Sequence, residues 1–518
     1  MAFYITTPIY YVNDQPHIGH AYTTIVADVL RRYHRMFGEE TLFLTGVDEH
    51  GQKIQAAAAA RGIPPQQHCD EMCENFKNIW KELDIEYDIF FRTTDDFHKK
   101  AVQDCLQELF DKKLIYAKEY EGYYSVSDEM FINEKDLVNG KAPSGRDVTL
   151  IKETNYFFKM SQYQDQLIQT IESNPELIQP DAKRNEVLGF LRKPLQDLSI
   201  SRPKSRLEWG IELPFDKDHV TYVWFDALLN YATGVGYKRK GMEKEFAKWW
   251  DPKNGAGAIH LIGKDILTTH SVYWPTMLMA LGIPLPKMIF AHGWWLTESN
   301  EKMSKSSGGA VVKPLDMKSI VGVDGLRYFL TRDINFGNDA QFAPSLVISR
   351  VNVDLANNLG NLLSRSTNLI QKFFNGEAPS VDLKDPRSIT LRKEAEHLAA
   401  SVKHDINRMA PHKAVESITN LLSAANKYLE DLAPWKILKE DPASSLGAES
   451  LMTALEVLRV SATLLHPVMP TKMTSLLEQI GSKDLINFES AGRWGLIKPG
   501  TKIAKADPLF PRIEVEKP

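Results

Sequence analysis

Three cysteines in 518 residues, Cys69, Cys73 and Cys105, are too few for a disulfide framework, and that scarcity fits a reducing compartment. Basic residues are not in excess either: 62 Lys and Arg against 67 Asp and Glu give a net charge of −5. A histone-like binder is excluded, and any nucleic-acid surface must be a local patch. No window is apolar for long enough to span a bilayer. The opening, MAFYITTPIYYV, has neither the basic start of a signal peptide nor the Arg/Ser-rich look of a transit peptide, so a soluble, cytoplasmic protein is expected. Internal repeats are missing as well. What remains is ordinary: 43% hydrophobic and 25% charged residues exclude a disordered or collagen-like chain. At about 150 residues per domain, the length predicts three or four domains.

Residues 3–12 form an apolar, β-branched and aromatic run. Tyr22, Ile25, Val26, Val29, Leu30 and Tyr33 follow at helical spacing, and 41–46 (TLFLTG) reads as a short buried strand. Strand, helix, strand at this spacing opens a parallel α/β sheet. Helices are expected at 66–84 and 95–113. From 116 to 205 the texture turns to short β-like runs, an insertion, after which α/β texture resumes with a helix at 220–236, a strand at His260, a helix at 265–281 and a strand at 287–291. A Gly/Ser/Lys-rich loop occupies 298–309, and beyond about 345 the pattern is helical. The expected fold is α/β: a Rossmann-like parallel-sheet catalytic domain in two halves (1–115 and 206–295), the inserted domain (116–205), a junction (296–345) and an all-α bundle (346–518).

Two strings carry chemistry. His17-Ile18-Gly19-His20 opens the first helix, so two imidazoles at i and i+3 stand on one face of a first turn. The free N–H groups and positive helix end there already favour phosphate, and imidazole N–H donors can follow charge developing on an α-phosphate. Gly19 removes a side chain that would block a nucleotide base. Lys302-Met303-Ser304-Lys305-Ser306 lies in the Gly/Ser/Lys loop, where two ammonium groups three apart suit a leaving pyrophosphate. Taken singly, each string also reads as a helix start or a solvated charged loop. Each occurs by chance in fewer than about one chain in a thousand of this length.

With these strings the sequence resembles the class I aminoacyl-tRNA synthetases, whose HIGH and KMSKS motifs they match letter for letter and in order. TPIYYVN (7–13), GVDEHG (46–51), IGKD (262–265) and NLLSR (361–365) narrow the resemblance to the methionyl-tRNA synthetases, from the first residues to about 470. The resemblance implies ATP-dependent activation of L-methionine to methionyl-adenylate and transfer to the 3′ end of tRNA(Met), as protein synthesis, initiation included, requires. It assigns His17, His20, Lys302 and Lys305 to catalysis, and to ATP the same four with Gly19, Gly263, Asp265 and Ser304. Magnesium is expected with ATP. Residues 116–205 contain no cysteine, so the zinc knuckle common in this family's insertion is not expected. Cys69 and Cys73, beside His68, read as half-buried helix residues.

Trp224, Ala227, Leu228 and Tyr231 fall at i, i+3, i+4 and i+7 on one helix face, Ile266 and His270 are an i, i+4 pair, and Ile9 and Tyr11 share a side at the end of the first strand. Alone, each group reads as core. The resemblance makes them the methionine pocket, whose aromatic walls suit a thioether, with Asp48 as partner of the ammonium. It likewise turns Asn361 and Arg365 (i, i+4) and Trp435, otherwise a solvated helix face and a core anchor, into readers of the CAU anticodon. A synthetase for a branched aliphatic amino acid would carry a larger insertion. A cysteine-specific one would want zinc, a small-metabolite nucleotidylyltransferase would not need the helical third, and a non-catalytic RNA-binding relative would have lost a phosphate motif. The chain stops soon after the bundle, so a monomer is expected.

Overall fold

The computed structural model describes all residues except 1, 14, 126–129, 133, 298–311, 506–507 and 515–518. It divides into two compact units: Met1–Gln15, Leu42–Asn78 and Tyr87–Ala291 in one, and Pro16–Thr41, Ile79–Glu86 and His292–Pro518 in the other.

The first unit is built on a six-stranded sheet. β1 (Ala2–Tyr11) lies between β2 (Glu40–Asp48) and the strand Ala258–Gly263; Ile89–Arg92 flanks β2, and Met288–His292 and Ile178–Gln179 complete the far side. β1 with 258–263, β2 with 89–92, and 288–292 with 178–179 all pair in parallel. From β1 the chain builds outward to one side and then returns to its other flank, so strand order reverses beside β1. Open α/β sheets bind ligands at such a point, at the carboxyl ends of the strands. Helices cover both faces of such sheets, hence the near-continuous apolar run of β1. Gly46 is required by close packing: a Cβ there would lie 2.2 Å from the Phe91 carbonyl oxygen.

The segment expected as an insertion holds an antiparallel sheet of Ile115–Ser125, Met130–Ile132, Thr149–Phe158 and Leu198–Ser199. It also holds two helices, Gln164–Ser173 and Asp181–Leu191. Between them, Ile178–Gln179 joins the edge of the parallel sheet, a strand too short to leave a period-two signal. The helix expected at 220–236 is Val223–Thr233, preceded by the strand Asp216–Thr221. Cys69 and Cys73 are fully buried rather than half-buried, with Cys69 Sγ 3.5 Å from the Glu49 carbonyl oxygen.

The second unit is helical. It contains α1 (Ile18–Met36) and, after Pro314–Arg332, the run expected at 345–373, which is α-helical at Pro344–Arg350, π-helical at Val351–Gly360 and α-helical again at Asn361–Phe373. Further helices at Pro386–Asn407 and Pro411–Leu432 pack around Ser445–Leu465, which is buried on every side from Gly447 onward, as a central bundle helix must be. Arg327 and Asp28, both without solvent exposure, pair at 2.7 Å. Arg327 also donates to the carbonyls of Asp84 and Val468 (both 2.9 Å), and the Tyr33 hydroxyl to that of Leu464 (2.8 Å), which fixes α1 against the helices of its own unit. Among the described residues no helix is long and apolar enough to cross a membrane.

Candidate functional site

In the second unit, α1 begins with a capping box made by histidines. His17 is the N-cap, extended at φ −111° and ψ 175°; its Nδ1 accepts from the Gly19 N–H (3.1 Å), and the His20 Nδ1 accepts from the His17 N–H (3.4 Å). A nitrogen that accepts carries no proton, so both neutral rings hold theirs at Nε2. The rings stack with centroids 3.7 Å apart. Two N–H donors thus stand together at the positive end of a 19-residue helix, a ready anion site. At Gly19 a Cβ would meet His17 Cε1 at 3.0 Å, so the ring would have to shift slightly. The Ile18 N–H donates to the Val312 carbonyl oxygen (3.2 Å), so the chain seven residues past Lys305 lies against this helix start. Lys302, Ser304 and Lys305 themselves lie outside the described residues.

In the first unit the candidate residues gather at the carboxyl ends of the strands. Ile9, Tyr11 and Trp224 pack against buried Tyr222 and Ala227. Leu228 and Tyr231 are buried one turn on, and Ile266 packs on the same core. Asp48, the last residue of β2, is buried at 3% exposure. Gly263 ends its strand, and Asp265 stands exposed in the following turn.

Several of the candidate pocket residues are held by a network that periodicity does not reveal. His270 Nδ1 lies 3.0 Å from the Ile266 carbonyl oxygen, which can only accept, so the proton is there and Nε2 accepts from the Tyr231 hydroxyl at 2.8 Å. Burial pushes His270 down to about 4, so this polarity holds at neutral pH. The Tyr231 ring stands 4.2 Å from that of His260. His260 accepts from Trp274 Nε1 (3.1 Å) and donates to Thr6 Oγ1 (2.8 Å); burial keeps it neutral too.

A second network holds the segment after β2. Glu49, fully buried, receives a two-pronged ion pair from Arg92 (2.7–3.1 Å). His50 Nδ1 lies 2.5 Å from Asp226 Oδ2, while Asp226 Oδ1 is 2.8 Å from His98 Nε2 and His98 Nδ1 is 2.8 Å from Thr233 Oγ1. Burial acts to raise the Asp226 carboxyl, but the two imidazoles outweigh it and hold it below the ordinary carboxylate range. Asp226 sits on the Val223–Thr233 helix between Trp224 and Ala227, so one carboxylate joins this helix to His50, two residues after Asp48. Among the described residues no three His, Cys, Asp or Glu side chains converge as a metal site.

In the helical unit, the Arg365 guanidinium lies over the Trp435 ring, 4.5 Å from its centroid. Asn361, one turn before Arg365, donates from Nδ2 to Asn426 Oδ1 (3.1 Å). All three expected readers are half-buried, so each keeps a face toward solvent.

The family model described as tRNA synthetases class I (M) matches residues 3–149 and 133–367, and that described as the anticodon binding domain of methionyl tRNA ligase matches 379–518. The chain is 44% identical over 517 residues to the methionine–tRNA ligase of Caldanaerobacter subterraneus, covering 99% of this chain and 79% of the relative. To that of Fusobacterium nucleatum it is 45% identical over 521 residues, covering 99% and 80%. Its fold matches Mycobacterium tuberculosis methionyl-tRNA synthetase in complex with methionyl-adenylate at a TM-score of 0.92, with 37% identity, over 99% of this chain and all of that one. The free form of that protein gives 0.85 at 35% identity, over 99% and 98%.

Proposed function

The chain belongs to the methionyl-tRNA synthetases of class I, and on that premise we propose how its residues divide the family's two-step reaction. It is a methionine–tRNA ligase: methionine and ATP give methionyl-adenylate and pyrophosphate, and the methionyl group is then esterified to the terminal adenosine of tRNA(Met). His17 and His20 donate from Nε2 to the α-phosphate oxygens as the methionine carboxylate attacks, which matters most when negative charge peaks in the transition state. Lys302, Lys305 and Ser304 receive the pyrophosphate. The observation that carries this assignment is the pair of stacked imidazoles, each accepting a backbone N–H at Nδ1, at a helix start whose Ile18 N–H is bonded to the Val312 carbonyl oxygen. Gly263 and Asp265 face the ribose. Magnesium arrives as the ATP complex, its ligands supplied by phosphate and water.

Asp48 pairs with the methionine ammonium, while Ile9, Tyr11, Trp224, Ala227, Leu228, Tyr231, Ile266 and His270 enclose the side chain. The Tyr231–His270 pair gives the pocket an oriented polar edge. Trp224→Ala is expected to raise the KM for methionine on the order of tenfold or more, the loss of about 1.5–3 kcal/mol of apolar burial, with the KM for ATP unchanged. Equal changes in both constants in pyrophosphate exchange would remove Trp224 from the pocket.

Asn361, Arg365 and Trp435 read the CAU anticodon. The guanidinium held over the indole pre-forms a platform for an unstacked base. Since stacking is worth about 1–3 kcal/mol per base, Trp435→Ala should cut tRNA charging by about ten- to a hundredfold while pyrophosphate exchange persists. Loss of both would make Trp435 a core anchor. All assigned groups come from one chain, so a monomer suffices, and three buried free thiols suit the cytoplasm.

A further inference from the structure

Asn361 offers either a donor or an acceptor to a base, depending on which way its amide is turned, and the surrounding helices settle that choice. The Thr419 carbonyl oxygen can only accept. Ser423 donates its single hydroxyl proton to it (3.0 Å), so Ser423 Oγ is left to accept, which it does from Asn358 Nδ2 (2.9 Å); that Nδ2 also reaches Thr419 O (3.3 Å). Asn358 therefore turns Oδ1 toward Asn426, whose Nδ2 donates to it (2.8 Å) and reaches the carbonyls of Asn358 (3.0 Å) and Leu422 (3.2 Å). With Nδ2 turned toward the Asn358 and Leu422 carbonyls, which can only accept, Asn426 presents Oδ1 to Asn361, which must answer with Nδ2 at 3.1 Å. The Asn361 carbonyl oxygen is left on the side of the amide remote from Asn426.

We propose that Asn426, oriented through Asn358, is a positioning residue that fixes Asn361 as a hydrogen-bond acceptor toward the anticodon. The inference rests on the assignment of Asn361 to anticodon reading and adds its polarity. A fixed acceptor pairs with the exocyclic amino group of cytosine or adenine, both present in CAU, and meets repulsion from the oxygen that uracil or guanine carries at the same edge. An amide free to flip accepts all four. Asn426 thus sets specificity without touching RNA, and it does so by withholding one of two rotamers from Asn361.

The test compares charging of tRNA(Met) transcripts bearing CAU with transcripts in which the cytosine is changed to uracil or the adenine to guanine, using the full-length enzyme. Asn426→Ala, and separately Asn358→Ala, should lower the preference for one amino-bearing base by about tenfold, through relative gain on its oxo counterpart, with methionine-dependent pyrophosphate exchange unchanged. Retained exchange shows that the catalytic site is intact, and with two variants the test does not hang on one of them. An equal fall for all transcripts, or an unchanged preference, overturns the relay and makes Asn426 a packing residue. If instead Asn361→Ala leaves charging of CAU transcripts intact, the reading beneath the proposal fails, an outcome separable from failure at Asn426 alone.

Discussion

Replacing His20 by alanine should slow methionine-dependent ATP–pyrophosphate exchange by about 10²–10³-fold in kcat, with little change in the KM for methionine. On the proposed assignment, the size follows from the removal of one donor that acts on charge present only in the transition state. The direction follows from the capping box. In the native helix start the His17 and His20 Nδ1 atoms are spent on backbone N–H groups, so each ring presents one defined donor, Nε2–H. Alanine removes that donor and also the acceptor that holds the His17 N–H, so the helix start loses order as well as charge complementarity. His20→Gln, which keeps an N–H donor on a side chain of similar length, should recover part of the rate. Because His17 and His20 stack and share the cap, the double variant should cost less than the product of the two single losses. A His20→Ala enzyme with native kcat, or one that loses only methionine affinity, would dismiss phosphate stabilisation as the role of this pair.

What the sequence discloses about this site depends on how far apart its parts lie along the chain. His17, Gly19 and His20 are contiguous, and the face made by Trp224, Ala227, Leu228 and Tyr231 repeats with the helix, so both were legible before any coordinates. The parallel sheet was equally legible, since Ala2–Tyr11 and Glu40–Asp48 are buried strands on either side of a clearly periodic helix. His260 read only as part of a buried strand. Its partners Thr6 and Trp274 are 254 and 14 residues away, and no local pattern marks an imidazole as hydrogen-bonded. Asp226 and His98, 128 residues apart, were hidden for the same reason. The π-helical turns at Thr269–Tyr273 and Val351–Gly360 escaped because their apolar spacing is nearly that of an α-helix, although the second leads directly into Asn361. Gly19 was read as clearing room for a nucleotide base; that a Cβ there would also crowd the His17 ring is visible only in three dimensions.

Asp226→Ala carries the largest expected loss of stability, about 3–5 kcal/mol, read as a lower urea midpoint by tryptophan fluorescence. The carboxylate has no solvent exposure and bonds two imidazoles on different elements, so its removal takes one buried hydrogen-bond partner from each of His50 and His98. A surface pair such as Lys100–Asp104 should cost less than about 1 kcal/mol when broken. Its pH dependence has a definite sign. The folded-state carboxyl titrates below its unfolded value of about 3.9, so its contribution is complete above that value and is lost as pH falls further, through the folded value. Wild type should therefore lose more stability than Asp226→Ala as pH falls below about 4, and the two curves should converge in acid. Stability and positioning can then be separated. Changing Asp226, His50 and His98 together to apolar residues of similar volume removes these buried polar groups and should restore much of the midpoint, because buried ionic clusters give little net stability over a well-packed apolar set. If the network exists to hold the Asp48 segment against the pocket helix, that refolded variant should still bind methionine poorly, with its KM for ATP near native. Recovery of methionine affinity along with stability would reduce the network to packing.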